Sequence, residues 1–424
     1  MRYLKPDGYF HHPSTEDAFM SETTREPKIR VEHLTKIFGS NSKEALKLLQ
    51  SGVGKDKILE KTGCGVGVAD ASFTVAAGEI VVVMGLSGSG KSTLVRCINR
   101  LIEPTAGKIL IDDQDITTLS MNELRQVRLT KLGMVFQNFA LFPHRTVCQN
   151  AEYGLEIQGM DPAKRRDKAM IALEQVGLKG WEDYYPVNLS GGMQQRVGLA
   201  RALALDPDIL LMDEAFSALD PLIRGDMQDE LINLQSKMQK TILFISHDLD
   251  EALKLGDRIV LMKDGAIVQI GTAEQILTNP ANEYVSRFVE NVDITKVLTA
   301  ESVVIKPKAV VFLAAHGPKS ALRFMQKQGL SQIFVHDEKH KVIGYVTADE
   351  ASEASKRGET ELHHIMQTDF VSVPPDTPAA DLIPIMANLP HPLPVVSADG
   401  RLMGVIIRGS LLAALAERGR NNDA

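Results

Sequence analysis

"EIVVVMGLSGSGKST", residues 79–93, joins two signals that seldom meet by accident. Ile80 to Met84 is a short, unbroken apolar run, the pattern of a strand buried on both faces in a parallel sheet. The segment directly after it satisfies G-x-x-x-x-G-K-[ST] at Gly85, Gly90, Lys91 and Ser92. By average residue usage, a chance match somewhere in 424 residues is on the order of a few per cent. The helical stretch "TLVRCINRLI" that comes next makes it rarer still. Glycines at these places let backbone N–H groups close around phosphates, and a helix N-terminus adds its dipole. Lys91 then reaches toward β- and γ-phosphates, and the Ser92 hydroxyl is a ligand for Mg²⁺.

Three further apolar runs read as buried strands ending in polar residues. "LGMVF" leads into Gln137, "DILLM" into Asp213 and Glu214, and "TILFIS" into His247. Open parallel sheets bind ligands at the carboxyl ends of their strands, so all four ends can face one site. Asp213 suits a carboxylate that holds Mg²⁺ directly or through water, and Glu214 is placed to polarise an attacking water. These are the two halves of a phosphate-loop NTPase.

A second glycine motif, "LSGGMQQR" at 189–196, precedes the helical "VGLARALAL". The Ser190 hydroxyl, the N–H groups of Gly191 and Gly192 and a helix dipole can grip an anion. A nucleotide already held by Lys91 offers a second grip only its outer face, and another copy of the chain can supply that grip. Two chains head to tail then enclose two nucleotides.

Composition agrees with a packed protein that is not a dedicated nucleic-acid binder. Apolar residues are 44%, charged residues 24% and the formal charge is −7, whereas phosphate backbones demand clustered Lys and Arg. Cys64, Cys97 and Cys148 are odd in number and lack ligand spacing, which points to a reduced compartment without disulfide or zinc. No stretch approaches ~18 uninterrupted apolar residues, and the N-terminus has no signal-peptide pattern.

Residues 1–27 read as a polar arm. Two short helices are expected within 39–66, Ser42 capping the first, between strands near 29–33 and 71–75. Beyond residue 298 a repeat appears at an offset of 60: Leu322 matches Leu382, Val335 matches Val395, and Gly344 matches Gly404. Each copy reads helix, strand, turn, strand, helix, so a pseudo-symmetric pair is expected over 299–424. Arg408, Arg418 and Arg420 form a small positive cluster, more in keeping with a solvated surface than with anionic lipid.

Residues 28–295 resemble the ATP-binding subunit of ABC transporters. The phosphate loop is "GLSGSGKST", the Q-loop residue Gln137, the signature "LSGGMQQR", the Walker B segment "ILLMDE", the D-loop "SALD" and the switch histidine His247, all in the family's order. The insert at 39–66, the run "DEAFSALDPLIR" and the C-terminal repeat are similar to the quaternary-amine importers, and the repeat resembles a tandem pair of CBS motifs. The resemblance implies an α/β phosphate-loop NTPase domain over 28–298 and an α+β tandem CBS regulatory domain over 299–424. It implies ATP on Gly85, Leu86, Ser87, Gly88, Ser89, Gly90, Lys91, Ser92 and Thr93, with Phe38 against adenine and Ser190, Gly191, Gly192 and Asp220 acting in trans. Mg²⁺ falls to Ser92, Gln137 and Asp213, and catalysis to Glu214, His247 and Gln137. The implied setting is a homodimer on the cytoplasmic face of the inner membrane. It would dock on integral permease subunits fed by a separate solute-binding protein, with a nucleotide or ionic regulator at the CBS-like pair. Import of glycine betaine or proline betaine/L-proline is the expected task. The competing readings are import of choline, carnitine or an amino acid, and a soluble non-transport ABC ATPase. A single nucleotide site and the lack of sustained heptads weigh against the last.

Overall fold

The structure, a computed structural model, describes residues 26–137, 139–290, 292–306, 311–389 and 391–416. Most of the expected N-terminal arm, and Arg418 and Arg420, lie outside them. The chain divides into two compact units that meet in sequence at Thr272 and Ala273.

The first unit begins with a long hairpin, β1 (Pro27–Phe38) and β2 (Gly65–Ala76), carrying α1 (Ser42–Gln50) and α2 (Lys55–Thr62) at its tip. Then come β3 (Ile80–Met84), α3 (Lys91–Ile98), β4 (Ala106–Ile111), β5 (Gln114–Asp115), α4 (Met121–Thr130) and β6 (Leu132–Val135). A helical stretch continues the chain: α5 (Val147–Ala151), α6 (Tyr153–Ile157), α7 (Pro162–Gln175) and α8 (Gly191–Leu203). The unit closes with β7 (Ile209–Asp213), α9 (Pro221–Met238), β8 (Thr241–Ser246), α10 (Leu249–Leu255), β9 (Arg258–Lys263) and β10 (Ala266–Gly271).

Two sheets organise it. One has the order β2-β1-β4-β5 and is antiparallel; the other has the order β10-β9-β3-β8-β7-β6, parallel except for β10. Every residue of β3, β7 and β8 is buried, as their unbroken apolar runs require. Between the sheets lies α3, whose Leu94, Val95 and Ile98 share one core with Ile29 and Phe73 of the antiparallel sheet and Val81, Val83, Leu211 and Ile245 of the parallel one. Register decides where function can sit. Met84 pairs with Ser246 and Asp213 with Ile245, so Gly85, Glu214 and His247 leave the sheet at one level.

The hairpin is longer than its two expected strands because β1 and β2 stay paired from Pro27–Ala76 out to Phe38–Gly65. The two insert helices occur as expected, but the cap does not. Asn41 is the N-cap of α1 and Ser42 its first helical residue, and the Asn41 side chain binds Glu44 rather than a backbone N–H. Ile37, Ala45, Ile58 and Cys64 form a small separate core beneath the insert. All three cysteines are free and buried.

In the second unit three short helices come first, α11 (Ala273–Thr278), α12 (Glu283–Phe288) and α13 (Ala300–Val303). The first copy of the repeat is β11 (Val311–Phe312), α14 (Pro318–Gln328), β12 (Gln332–His336), β13 (Val342–Thr347) and α15 (Ala348–Arg357). The second is α16 (Ala379–Asn388), β14 (Leu393–Val396), β15 (Leu402–Ile406) and α17 (Arg408–Ala416). Matched positions do matched work. Val335 pairs with Gly344 across one hairpin, and Val395 with Gly404 across the other. The segment before each copy adds to the other copy: Ile305 bridges Val405, and Gln367 bridges Tyr345. That exchange explains the repeated glycine. A Cβ at Gly344 would lie 2.5 Å from Gln367 O, and one at Gly404 would lie 2.6 Å from Ile305 O. Lys341 and Arg401, 60 positions apart, bridge one another where the copies meet. Arg408 is not a free surface charge; its guanidinium donates to the carbonyls of Met386, Ala387 and Leu389 at the end of α16.

Candidate functional site

The loop between β3 and α3 wraps the helix N-terminus. Gly90 is the N-cap of α3 at φ 100°, in the left-handed region, and a Cβ there would lie 2.2 Å from Gly67 O. No other residue fits that turn. Lys91 is buried, and its Nζ donates to Gly85 O at 2.8 Å and Leu86 O at 3.2 Å. Burial pushes its pKa down, while the charges of Glu214 and Asp213 pull it back up. The loop opens on a cavity of about 590 Å³ lined by Gly67, most of residues 85–93, Glu214 and His247. Backbone donors, a buried ammonium and a helix N-terminus facing one space make a site for polyphosphate.

Asp213, also buried, ends β7. Its Oδ1 accepts from Ser92 Oγ at 3.0 Å, and its Oδ2 lies 3.3 Å from Nη2 of Arg96. A hydroxyl and a carboxylate side by side are hard oxygen donors of the kind Mg²⁺ takes. Among the described residues no cluster of three or more His, Cys, Asp or Glu could hold a metal. A divalent cation here would depend on phosphate oxygens for most of its shell, as Mg²⁺ does in nucleotide sites.

Glu214 stands next, at φ 48°, a left-handed conformation in a residue that rarely adopts it. Its Oε2 accepts from Gln137 Nε2 at 3.1 Å and lies 3.5 Å from His247 Nδ1. Gln137 also donates to Ser217 Oγ at 3.2 Å, and Ser217 Oγ donates to Glu214 O at 2.9 Å. The three strand-end residues expected to converge do meet, around one carboxylate oxygen.

Phe38, at the end of β1, lies beside the same loop. Its Cε2 is 2.7 Å from the place a Cβ would take at Gly67, and Thr93 Cγ2 is 3.2 Å from that place. Phe38 is 44% exposed, with Lys36 Nζ 5.0 Å from the ring centroid.

Ser190, Gly191, Gly192 and Asp220 do not line this cavity. Ser190 is the exposed N-cap of α8; its Oγ accepts from Met193 N at 3.4 Å and keeps its own O–H to donate. Asp220 is the exposed N-cap of α9. Within one chain, then, the second glycine motif lies apart from the phosphate loop, with Ser190 and Gly191 exposed at the start of α8 and Gly192 buried. Sequence reasoning missed Gly67, Arg96 and Ser217. Only Ser217, inside "SALD", carried a signal.

With this geometry in hand, the likeness to known proteins is consistent from end to end. The ABC transporter family model matches residues 68–217, and the CBS domain model matches residues 362–417. A glycine betaine transport ATP-binding protein of Bacillus subtilis is 54% identical over 397 residues, which is 94% of either chain. A glycine betaine/proline betaine transport ATP-binding protein of Escherichia coli is 49% identical over 397 residues, 93% of this chain and 99% of that one. Among solved structures, a component of an ABC transporter complex from Clostridium perfringens aligns with a TM-score of 0.50 at 24% identity. It covers 62% of this chain and 94% of that one, and speaks to the fold alone.

Proposed function

This chain belongs to the ATP-binding subunits of ABC transporters, and on that premise we propose that its ATP hydrolysis drives import of a quaternary amine such as glycine betaine or proline betaine/L-proline. The observation that carries the reading is the near-full-length identity to glycine betaine subunits, both ATPase and repeat included.

Lys91 and the N–H groups of the loop bind the β- and γ-phosphates, and Phe38 bears on the adenine. Ser92 and Asp213 would hold Mg²⁺, with Gln137 the further ligand assigned to it, and the ion would supply charge neutralisation at the phosphoryl oxygens. Glu214 accepts the proton of the attacking water, and His247 and Gln137 hold that carboxylate in place. Little covalent chemistry falls to the protein; positioning and charge do the rest. A second copy completes the site: each chain lends Ser190, Gly191, Gly192 and Asp220 to the nucleotide on its neighbour's phosphate loop. Support comes from the exposed N-terminus of α8, which ends in a hydroxyl still able to donate.

No helix among the described residues is long and apolar enough to cross a membrane. The pore then belongs to permease subunits on which the dimer sits at the cytoplasmic face of the inner membrane, with a separate binding protein choosing the solute. We take 28–298 as the hydrolytic part and 299–424 as a regulatory part that answers to a nucleotide or to ionic conditions.

Reconstitution of the whole complex in vesicles with internal ATP tests this. Glycine betaine should accumulate against its gradient and stimulate hydrolysis. Hydrolysis indifferent to every betaine offered, with an amino acid or choline accumulating instead, would overturn the substrate.

A further inference from the structure

We propose that Arg224 is a positioning residue that ties the loop this chain presents to its neighbour to the histidine acting on its own nucleotide. The proposal rests on the two-chain reading of the proposed function.

Arg224 lies in the first turn of α9, its N–H bonded to Asp220 O at 2.8 Å. Its guanidinium forks. Nη2 donates to Leu219 O at 3.2 Å, inside the loop that carries Asp220, and Nη1 donates to Asp248 Oδ2 at 3.2 Å, the residue after His247. Asp248 is the N-cap of α10 and uses its other oxygen for Glu251 N at 3.2 Å, so it cannot follow Arg224 without moving the switch segment. Asp248 N in turn donates to Ser246 Oγ at 2.9 Å, so both neighbours of His247 are pinned.

The same turn also meets the second glycine motif. A Cβ at Gly192 would lie 2.5 Å from Ile223 Cγ2, and one at Gly191 would lie 3.8 Å from Leu219 Cδ2. One turn of helix thus meets Gly192 through Ile223 and holds Asp248, the residue after His247, through Arg224. A guanidinium suits this junction because its donors are fixed in a planar fork, which an ammonium lacks. Its Nε is buried without a hydrogen-bond partner, so the polar contacts of the guanidinium are the two outer ones. Occupancy of the neighbour's site displaces the loop, and Arg224 carries the displacement to Asp248, then to His247 and Glu214.

The test is ATP hydrolysis by the assembled transporter against ATP concentration, comparing the parent with Arg224→Ala, Arg224→Lys, Asp248→Asn and the pair Arg224→Ala/Asp248→Asn. Asn keeps the α10 cap, so Asp248→Asn carries the test even if Arg224→Ala fails to assemble. We expect Arg224→Ala to lower kcat roughly 10- to 100-fold at little changed KM. Its Hill coefficient should fall from about 2 toward 1, Arg224→Lys should recover part of both, and the pair should be no worse than the worse single change. A lower kcat with the parent's Hill coefficient, or additive losses, overturns the proposal and leaves the dimer standing. A parent with a Hill coefficient of about 1 and no ATP-dependent pairing overturns the dimer and this coupling with it.

Discussion

Gln137 Nε2 donates to Glu214 Oε2 at 3.1 Å across 77 residues of sequence, and that oxygen is also the one 3.5 Å from His247 Nδ1. One carboxylate oxygen is therefore shared by two neighbours from other strands, and it is the group whose loss should separate binding from chemistry.

Glu214→Gln keeps the shape and the acceptor oxygen but cannot take a proton. We expect hydrolysis to fall roughly 10²- to 10⁴-fold. Nucleotide affinity should hold, because the loop and Lys91 are untouched. Single-turnover hydrolysis and a fluorescent-nucleotide titration check the two halves. Wild-type turnover would remove Glu214 from the role of base.

Lys91→Ala should instead weaken nucleotide binding. A charge-assisted hydrogen bond contributes about 1.5–3 kcal/mol, or roughly 10- to 100-fold in affinity. Lys91 is desolvated in place, so its removal relieves a buried charge. The melting temperature without nucleotide should change little, while the rise caused by MgATP should largely vanish. An undiminished thermal shift would show that phosphate is bound elsewhere.

Glu251, bonded to both neighbours of His247, predicts a pH effect on stability. It is buried, and burial raises its pKa above the ordinary 4.5, against the weaker pull of hydrogen bonds from Ser246 and Gln228. The unfolded chain releases this proton first, so between 4.5 and the raised value the folded state holds more protons. Its stabilising contribution is full below the ordinary value and is lost as pH climbs through the raised one. Glu251→Gln, neutral throughout, should lack that decline. Urea midpoints of parent and variant, measured from acid to neutral pH, should diverge in the variant's favour as pH rises. Parallel curves would mean that Glu251 ionises normally in the fold.

How much was legible beforehand depends on the physics of each part. The buried strands β3, β7 and β8 announce themselves because both faces need apolar residues. Gly85, Gly90, Lys91 and Ser92 do so because few residue types permit that loop. The full hairpin of β1 and β2 was hidden because irregular register breaks its alternation, at Val31/Leu34 among other places. Gly67 carried no mark, since its contribution is the space it leaves for Phe38 and a carbonyl against Gly90. The exchange of edge segments in the repeat could not be read either. An offset of 60 shows that two copies exist, not that Ile305 crosses to Val405 and Gln367 to Tyr345.

The same exchange makes the repeat glycines intolerant of a side chain. Gly404→Ala brings a Cβ to 2.6 Å from both Ile305 O and Val304 Cγ2, where a backbone carbonyl cannot step aside cheaply. Gly344→Ala meets Gln367 O at 2.5 Å and Met366 Cγ at 2.7 Å in the matching place. Overpacking of this kind costs about 1–3 kcal/mol. Gly409→Ala, at the start of α17 with nothing within 4 Å, is the control and should be neutral or slightly stabilising, as Ala is in any helix. Each repeat-glycine variant should therefore melt earlier than the Gly409→Ala protein. If the three variants melt together, the crossing segments do not lie against the hairpins, and the two copies must be joined in some other way.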